Sequence, residues 1–99
     1  MREIELAFIK LHILHHASRD EVYGVGLVKE LSRHGYKVSF GTLYPILAKM
    51  VRLGLLTVKA TTVTHKQRKY YRITSKGLRE LNKVKQKIRE LYEEVIEDK

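Results

Sequence analysis

At 99 residues the chain can bury one hydrophobic core, and no linker or repeat divides it. The absence of cysteine excludes disulfides and thiolate chemistry, and no apolar run is long enough to cross a bilayer. The formal net charge of +9 favours a polyanionic partner, and the first residues do not resemble a secretory leader, so we expect a cytoplasmic protein.

Basic residues are concentrated in the middle of the chain and acidic residues near its end. Positions 31–79 contain no acid and eleven basic residues, namely Arg33, Lys37, Lys49, Arg52, Lys59, Lys66, Arg68, Lys69, Arg72, Lys76 and Arg79. A block of one sign releases condensed counterions when it meets a polyanion, which is the ordinary source of nucleic-acid affinity. We therefore expect double-stranded DNA as a partner, with a merely solvated basic surface as the alternative.

Apolar spacing predicts three helices in the first half of the chain. Residues 3–16 carry a wide apolar stripe at helical spacing, and residues 23–34 carry a second one that Gly35 can end in a left-handed cap. Ser39 precedes a third stripe and is the predicted N-cap of a helix that Gly54 closes. The tight connection between the second and third helices predicts a helix-turn-helix.

After the third helix, apolar residues recur at every second position instead of at helical spacing. Residues 55–63 alternate and are rich in β-branched side chains, which predicts a strand. A polar stretch, Thr64–Arg68, separates it from a second alternating run, Lys69–Ile73. The two runs predict a hairpin, or wing, in which Tyr70 and Tyr71 point to opposite faces and one of them joins the core.

A long C-terminal helix follows, with Thr74 as its predicted cap. Its apolar positions are spaced alternately by three and four residues, as in a coiled coil: Leu81, Val84, Ile88, Leu91 and Val95. The helix would extend about 35 Å and overshoot a domain of this size, so a second chain is expected to cover its far half. We predict a homodimer, with a DNA-binding domain at 1–76 and a dimerisation helix at 77–99. A stripe that packs only on its own domain is the alternative.

The predicted order of elements is that of an α+β, mostly α, winged helix-turn-helix. Four segments in this order resemble the PadR family of transcriptional regulators: Tyr23-Gly24, Ser39-Phe40-Gly41-Thr42-Leu43-Tyr44-Pro45-Ile46-Leu47, Gly54-Leu55-Leu56 and Lys69-Tyr70-Tyr71-Arg72-Ile73-Thr74-Ser75-Lys76-Gly77. The Gly-Thr-Leu-Tyr-Pro run is the most distinctive. The resemblance covers about residues 6–80, and the single last helix is similar to the short form of the family.

The resemblance implies a dimeric repressor that occludes a promoter by binding a pseudo-palindromic operator. In some members a small aromatic effector releases the DNA. Two other functions stay open on the sequence alone: a winged-helix module for protein assembly, whose basic block meets an acidic partner, and a protein that coats DNA without sequence preference.

The predicted DNA-binding residues lie on the third helix and on the wing. On the helix they are Ser39, Gly41, Thr42, Tyr44 and Lys49, near the positive end of the helix dipole. On the wing they are His65, Lys66, Gln67, Arg68 and Lys69, which suit phosphates. Tyr23 is added through the Tyr23-Gly24 resemblance. Pro45 removes a helical donor and is expected to loosen the first turn. The alternatives are a core position for Tyr44 and a plain solvated turn for the wing.

Enzymatic and metal chemistry find little support in the sequence. His12, His15 and His16 are spaced so that two imidazoles can share a helical face, but no clear third ligand accompanies them. His16, Ser18 and Asp20 contain the atoms of a hydrolytic triad, yet such close neighbours in sequence rarely converge in that geometry. We predict a protein that is not an enzyme and has no cofactor or metal.

Overall fold

The computed structural model describes residues 2–99 and has the predicted order of elements. The helices are α1 (Arg2–Arg19), α2 (Gly24–Arg33), α3 (Phe40–Arg52) and α4 (Ser75–Leu91), and the strands are β1 (Leu56–Val63) and β2 (Lys66–Ile73). A π-helical turn, Tyr92–Ile96, continues α4. The mostly helical α+β fold is thereby confirmed. None of the helices within residues 2–99 has the length and apolar character that crossing a membrane requires.

One hydrophobic core lies where the first three helices meet the base of the hairpin and the start of α4. Its buried side chains are Ile9, Ile13, Leu14, Ala17, Leu27, Leu31, Val38, Leu43, Leu47, Met50, Leu56, Tyr71 and Leu81. Tyr71 is the inward-facing tyrosine of β2, as the alternation predicts for one of the pair. Two backbone hydrogen bonds of 2.9 and 2.7 Å join it to Val22, between α1 and α2. The core and this bridge hold the hairpin against the helices.

Short polar residues and glycines set the helix ends where the sequence predicts them. Ser39 and Thr74 each accept a hydrogen bond from the backbone amide three residues later, at 3.2 and 2.9 Å. Gly35 and Gly54 follow α2 and α3 with φ of +87° and +77°, a region that glycine enters without steric cost. Pro45 does not interrupt α3, which is one continuous helix from Phe40 to Arg52.

The hairpin differs from its prediction at the tip. The strands pair down to Lys66, so that only Thr64 and His65 form the turn. Their φ values are 50° and 64°, and a two-residue turn with both residues in this region matches the twist of paired strands. This turn was not predicted from the sequence, because the two positions of such a turn usually carry Asn and Gly. Gln67 and Arg68 are therefore strand residues, and the predicted tip from Thr64 to Arg68 was too long.

The last helix begins inside the domain and ends outside it. At its start a methyl group on Gly77 would overlap the carbonyl oxygen of Leu55, so the two backbones are in close contact. One turn later Leu81 is buried, but the large apolar side chains from Ile88 onward are exposed. The molecule is 55 Å long and only 28 by 20 Å in its other dimensions. The far half of α4 thus extends beyond the core.

Candidate nucleic-acid interface

The start of α3 is an exposed helix N-terminus. Ser39 Oγ lies 3.2 Å from both the backbone nitrogen and Oγ1 of Thr42, so its hydroxyl caps the helix. The amides before Thr42 have no acceptor within the helix, and together with the helix dipole they favour a negative group. A methyl group on Gly41 would lie 3.8 Å from Ser39 Oγ, its nearest neighbour. No contact among the described residues requires glycine here, whereas close approach of a phosphate backbone would.

Tyr44 lies on the outer face of α3. Its side chain is 41% exposed and stacks on Phe40, with ring centroids 5.8 Å apart. Its hydroxyl end touches α2 at Gly24, where a methyl group would overlap it. Tyr44 is therefore a surface residue that contacts the start of α2. The alternative prediction, that Tyr44 lies in the core, was wrong. The sequence prediction omitted Phe40, which is 45% exposed, although its spacing of four from Tyr44 indicates a shared helix face.

Arg68 is held on the hairpin by two aromatic rings. Its guanidinium carbon lies 4.4 Å from the centroid of the Tyr23 ring, and Nη1 donates a hydrogen bond of 3.5 Å to the Tyr70 hydroxyl. The two tyrosine rings meet edge to face at 5.7 Å. The hydrogen bond to Tyr70 raises the pKa of Arg68 above its usual value. Tyr70 was not among the predicted site residues, although it shares the strand face of Arg68 by alternation.

A cleft of about 730 Å³ lies between the start of α2, α3 and the hairpin. Its walls are formed by Tyr23, Gly24, Val25, Tyr44, Val63, Thr64, Lys66, Gln67, Arg68 and Lys69. Six of the predicted DNA-binding residues are therefore brought together: Tyr23, Tyr44, Lys66, Gln67, Arg68 and Lys69. Three of them are cations, and no acid is among the wall residues. We call this surface the basic cleft.

The other predicted residues lie outside the basic cleft. Ser39, Gly41 and Thr42 form the exposed start of α3. His65 lies in the hairpin turn. Lys49 lines a different groove, of about 660 Å³, which is bounded by α1, α3 and α4. Of the predicted residues on α3, the structure therefore brings only Tyr44 into one cleft with the hairpin, and it places Lys49 in a different groove.

The predicted apolar seam of α4 divides into a buried and an exposed part. Leu81 is 3% exposed and belongs to the core of its own domain, so it is not available to a partner. Val84 is half-buried and lines the groove beside Lys49. Ile88 is 46% exposed and Val95 70%, with Leu91 between them also exposed. Only the second half of the predicted seam is therefore uncovered.

Further exposed apolar side chains extend this uncovered surface. Tyr92 and Ile96 continue it at the end of the chain, beside the predicted positions. At the other end of the sequence, Ile4 and Phe8 are exposed on α1, which packs against α4. The run of exposed apolar side chains at the end of the chain is typical of an interaction surface.

Comparison with known proteins agrees with this architecture. The sequence profile described as "Transcriptional regulator PadR-like family" matches residues 13–83. A transcriptional regulator of Mycobacterium tuberculosis is 46% identical over 96 residues, which are 97% of this chain and 90% of that protein.

Solved structures extend the similarity to the fold. A PadR-like transcription factor from Bacteroides fragilis has a TM-score of 0.85 and 25% identity, covering 99% of this chain and 96% of the other. A PadR family transcriptional regulator from Eggerthella lenta has a TM-score of 0.83 and 34% identity, with 94% and 82% covered. The similarity therefore includes α4 as well as the winged domain.

Proposed function

The chain belongs to the PadR-like family of transcriptional regulators, and from this premise we propose that it is a homodimeric repressor that occludes a promoter by binding a specific operator. The observation that carries the proposal is the basic cleft, in which the outer face of α3 meets the cations of the hairpin. A winged helix-turn-helix uses these two elements to read the major groove and to follow the backbone.

In this proposal α3 is the recognition helix. Thr42 and Tyr44 are uncharged and exposed or half-exposed in its first two turns, where they contact base edges, including thymine methyl groups. Gly41 and the free amides beside it receive a phosphate. Ser39 acts indirectly, because its hydroxyl holds the first turn in place. Phe40 adds an apolar surface next to Tyr44.

The hairpin supplies the contacts that do not depend on base sequence. Lys66, Arg68 and Lys69 carry full charges on β2 and face phosphates across the basic cleft. Arg68 is better oriented than an ordinary surface arginine, because Tyr23 and Tyr70 hold its guanidinium. His65 lies in the turn that joins the two strands.

The uncovered end of α4 supports a dimer. We propose that Ile88, Leu91 and Val95 pack against the same residues of a second chain, with Phe8 of α1 beside them. The proposed division is a DNA-binding domain at 1–76 and a dimerisation helix at 77–99, although the first turns of that helix also pack on the domain. Two-fold symmetry then makes the operator a pseudo-palindrome.

The groove beside Lys49 is the proposed place for a small aromatic effector. Its apolar walls include Leu14, Ile46 and Met50, and its volume of about 660 Å³ lies within the usual range for small-molecule sites. A ligand there would touch the recognition helix and α4 together, which couples it to both DNA binding and dimerisation.

Two sets of substitutions separate the proposed kinds of DNA contact. Replacing Lys66, Arg68 and Lys69 together with alanine is expected to weaken operator and random DNA alike, and to reduce the salt slope by about one unit per lost contact. Replacing Thr42 with alanine and Tyr44 with phenylalanine is expected to weaken operator binding by about 1 to 3 kcal/mol, with little change in salt slope. Binding isotherms at several salt concentrations measure both effects.

The matched control removes the same charge elsewhere. Lys83→Ala, Lys85→Ala and Lys87→Ala together take three cations from α4, away from the basic cleft, and should leave the salt slope nearly unchanged. All variants are first checked for folding by circular dichroism. If the hairpin and α4 triple variants weaken DNA equally, the hairpin has no special role. If the α3 variant loses affinity equally for operator and random DNA, the result would favour a protein that coats DNA without sequence preference.

A further inference from the structure

Three of the five histidines of this chain converge where α1 meets the end of α2. His12 and His16 lie four residues apart on α1, and His34 follows the last residue of α2. The ring centroids of His12 and His34 are 4.6 Å apart, and those of His12 and His16 are 6.3 Å apart. One ring nitrogen from each of these three residues lies within 4.8 Å of the other two.

A carboxylate lies beside two of these histidines. Oε1 of Glu30 lies 3.6 Å from Nε2 of His16 and also 3.6 Å from Nε2 of His34. Arg33 donates to Oε2 of Glu30 at 3.0 Å and so helps to orient the carboxylate. The carboxylate therefore lies next to two of the three imidazoles, those of His16 and His34.

One nitrogen in this cluster lacks a hydrogen-bond partner. Nε2 of His16 is buried, and among the described residues no atom accepts from it or donates to it. Leaving a buried polar atom in this state is unfavourable. Ligation would remove that penalty, because the lone pair of a neutral imidazole is the donor that a metal ion uses.

From this geometry we propose that His12, His16 and His34 bind a divalent transition-metal ion, with Glu30 as the fourth ligand. Three imidazole nitrogens and one carboxylate oxygen form a tetrahedral donor set suited to Zn²⁺. Zn–N bonds of about 2.0 to 2.1 Å place such nitrogens about 3.3 Å apart. The rings must therefore close by roughly 1 to 2 Å, and we expect side-chain rotation to supply this movement because none of the three is fully buried.

The surroundings of His12 disfavour its protonated form. Burial lowers the pKa of His12, and the neighbouring His34 and His16 lower it further. Metal ligation uses the lone pair of the neutral imidazole. His34 lies five residues before Ser39, so the ion would fasten the end of α2 to α1 just ahead of the recognition helix.

The test uses the full-length chain and Co²⁺, whose visible absorption reports a tetrahedral site, followed by displacement with Zn²⁺. We expect one ion per chain. His12→Ala and His34→Ala should each weaken the affinity by on the order of 100-fold, and Glu30→Gln by about 10-fold, as judged from the effects of changing ligands and their immediate neighbours. His34 is exposed, so its replacement leaves the core intact.

His15→Ala is the matched control. His15 lies on the same helix and its ring contacts that of His16 at 5.1 Å, but it is not one of the three converging residues. This variant should bind Co²⁺ as the wild type does. The proposal is overturned if the wild type gives no tetrahedral Co²⁺ spectrum, or if His15→Ala weakens binding as much as His34→Ala.

Discussion

Ile88→Asp is expected to convert the protein from a dimer to a monomer and to abolish specific DNA binding. Ile88 is 46% exposed within one chain, so a carboxylate there costs the isolated fold little. In the proposed dimer the same position is covered by a second chain, and two unpaired carboxylates would be buried close together. Sedimentation at micromolar concentration should show a monomer.

The loss of DNA binding follows from the loss of one half-site. A monomer retains the basic cleft but contacts only half of a pseudo-palindrome, so its affinity should fall by about 1,000-fold, towards that for random DNA. Gln86→Asp is the matched control, because it introduces the same charge on the opposite face of α4. That variant should remain a dimer. A dimeric Ile88→Asp variant would show that the exposed stripe is not the interface.

Gly77→Ala is expected to destabilise the fold more than the same change at any other glycine of the chain. The new methyl would overlap the carbonyl oxygen of Leu55 and a side-chain carbon of Ile73. A backbone carbonyl cannot rotate away, so the free energy of unfolding should fall by about 3 kcal/mol or more. Thermal unfolding should then occur at least about 10 °C lower.

Gly41→Ala provides the contrast for this result. A methyl there has no neighbour closer than 3.8 Å, and alanine favours a helix by up to about 1 kcal/mol over glycine. Its stability should be unchanged or higher, while operator binding weakens because the phosphate can no longer approach α3 closely. Equal thermal unfolding of Gly77→Ala and the wild type would contradict the close packing of α4 on Leu55.

Much of the fold could be predicted because its determinants are local. Helical spacing of apolar residues, the caps Ser39 and Thr74, and the glycines at 35 and 54 each act within a few residues of their own position. The hairpin turn escaped prediction because Thr64 and His65 adopt a left-handed conformation that their side chains do not favour. Pairing with the opposite strand imposes it.

The candidate site was predicted less completely because it depends on contacts between elements. Sequence alone could not show that Tyr70 and Tyr23 hold Arg68, since these residues come together only when the hairpin packs beside α2. Lys49 and Leu81, in contrast, were predicted to be functional residues but lie elsewhere in the structure. Their spacing fits the predicted roles, but packing directs the first to another groove and the second into the core.

The histidine cluster was also predicted only in part, because it depends on contacts between two helices. His12 and His16 are close in sequence, and their spacing by itself indicates a pair on one helix face. The third imidazole, His34, comes from the end of another helix, and only the packing of α2 on α1 brings it near.

Selection of bound fragments from random double-stranded DNA tests the central claim most directly. A dimer that reads DNA through α3 should enrich a pseudo-palindrome whose half-site centres lie about 34 to 36 Å apart, or one turn of the helix. The enriched sequence should compete for binding at least about 1,000-fold better than random DNA. Enrichment of no sequence, or of a single asymmetric site, would contradict a dimeric sequence-specific repressor.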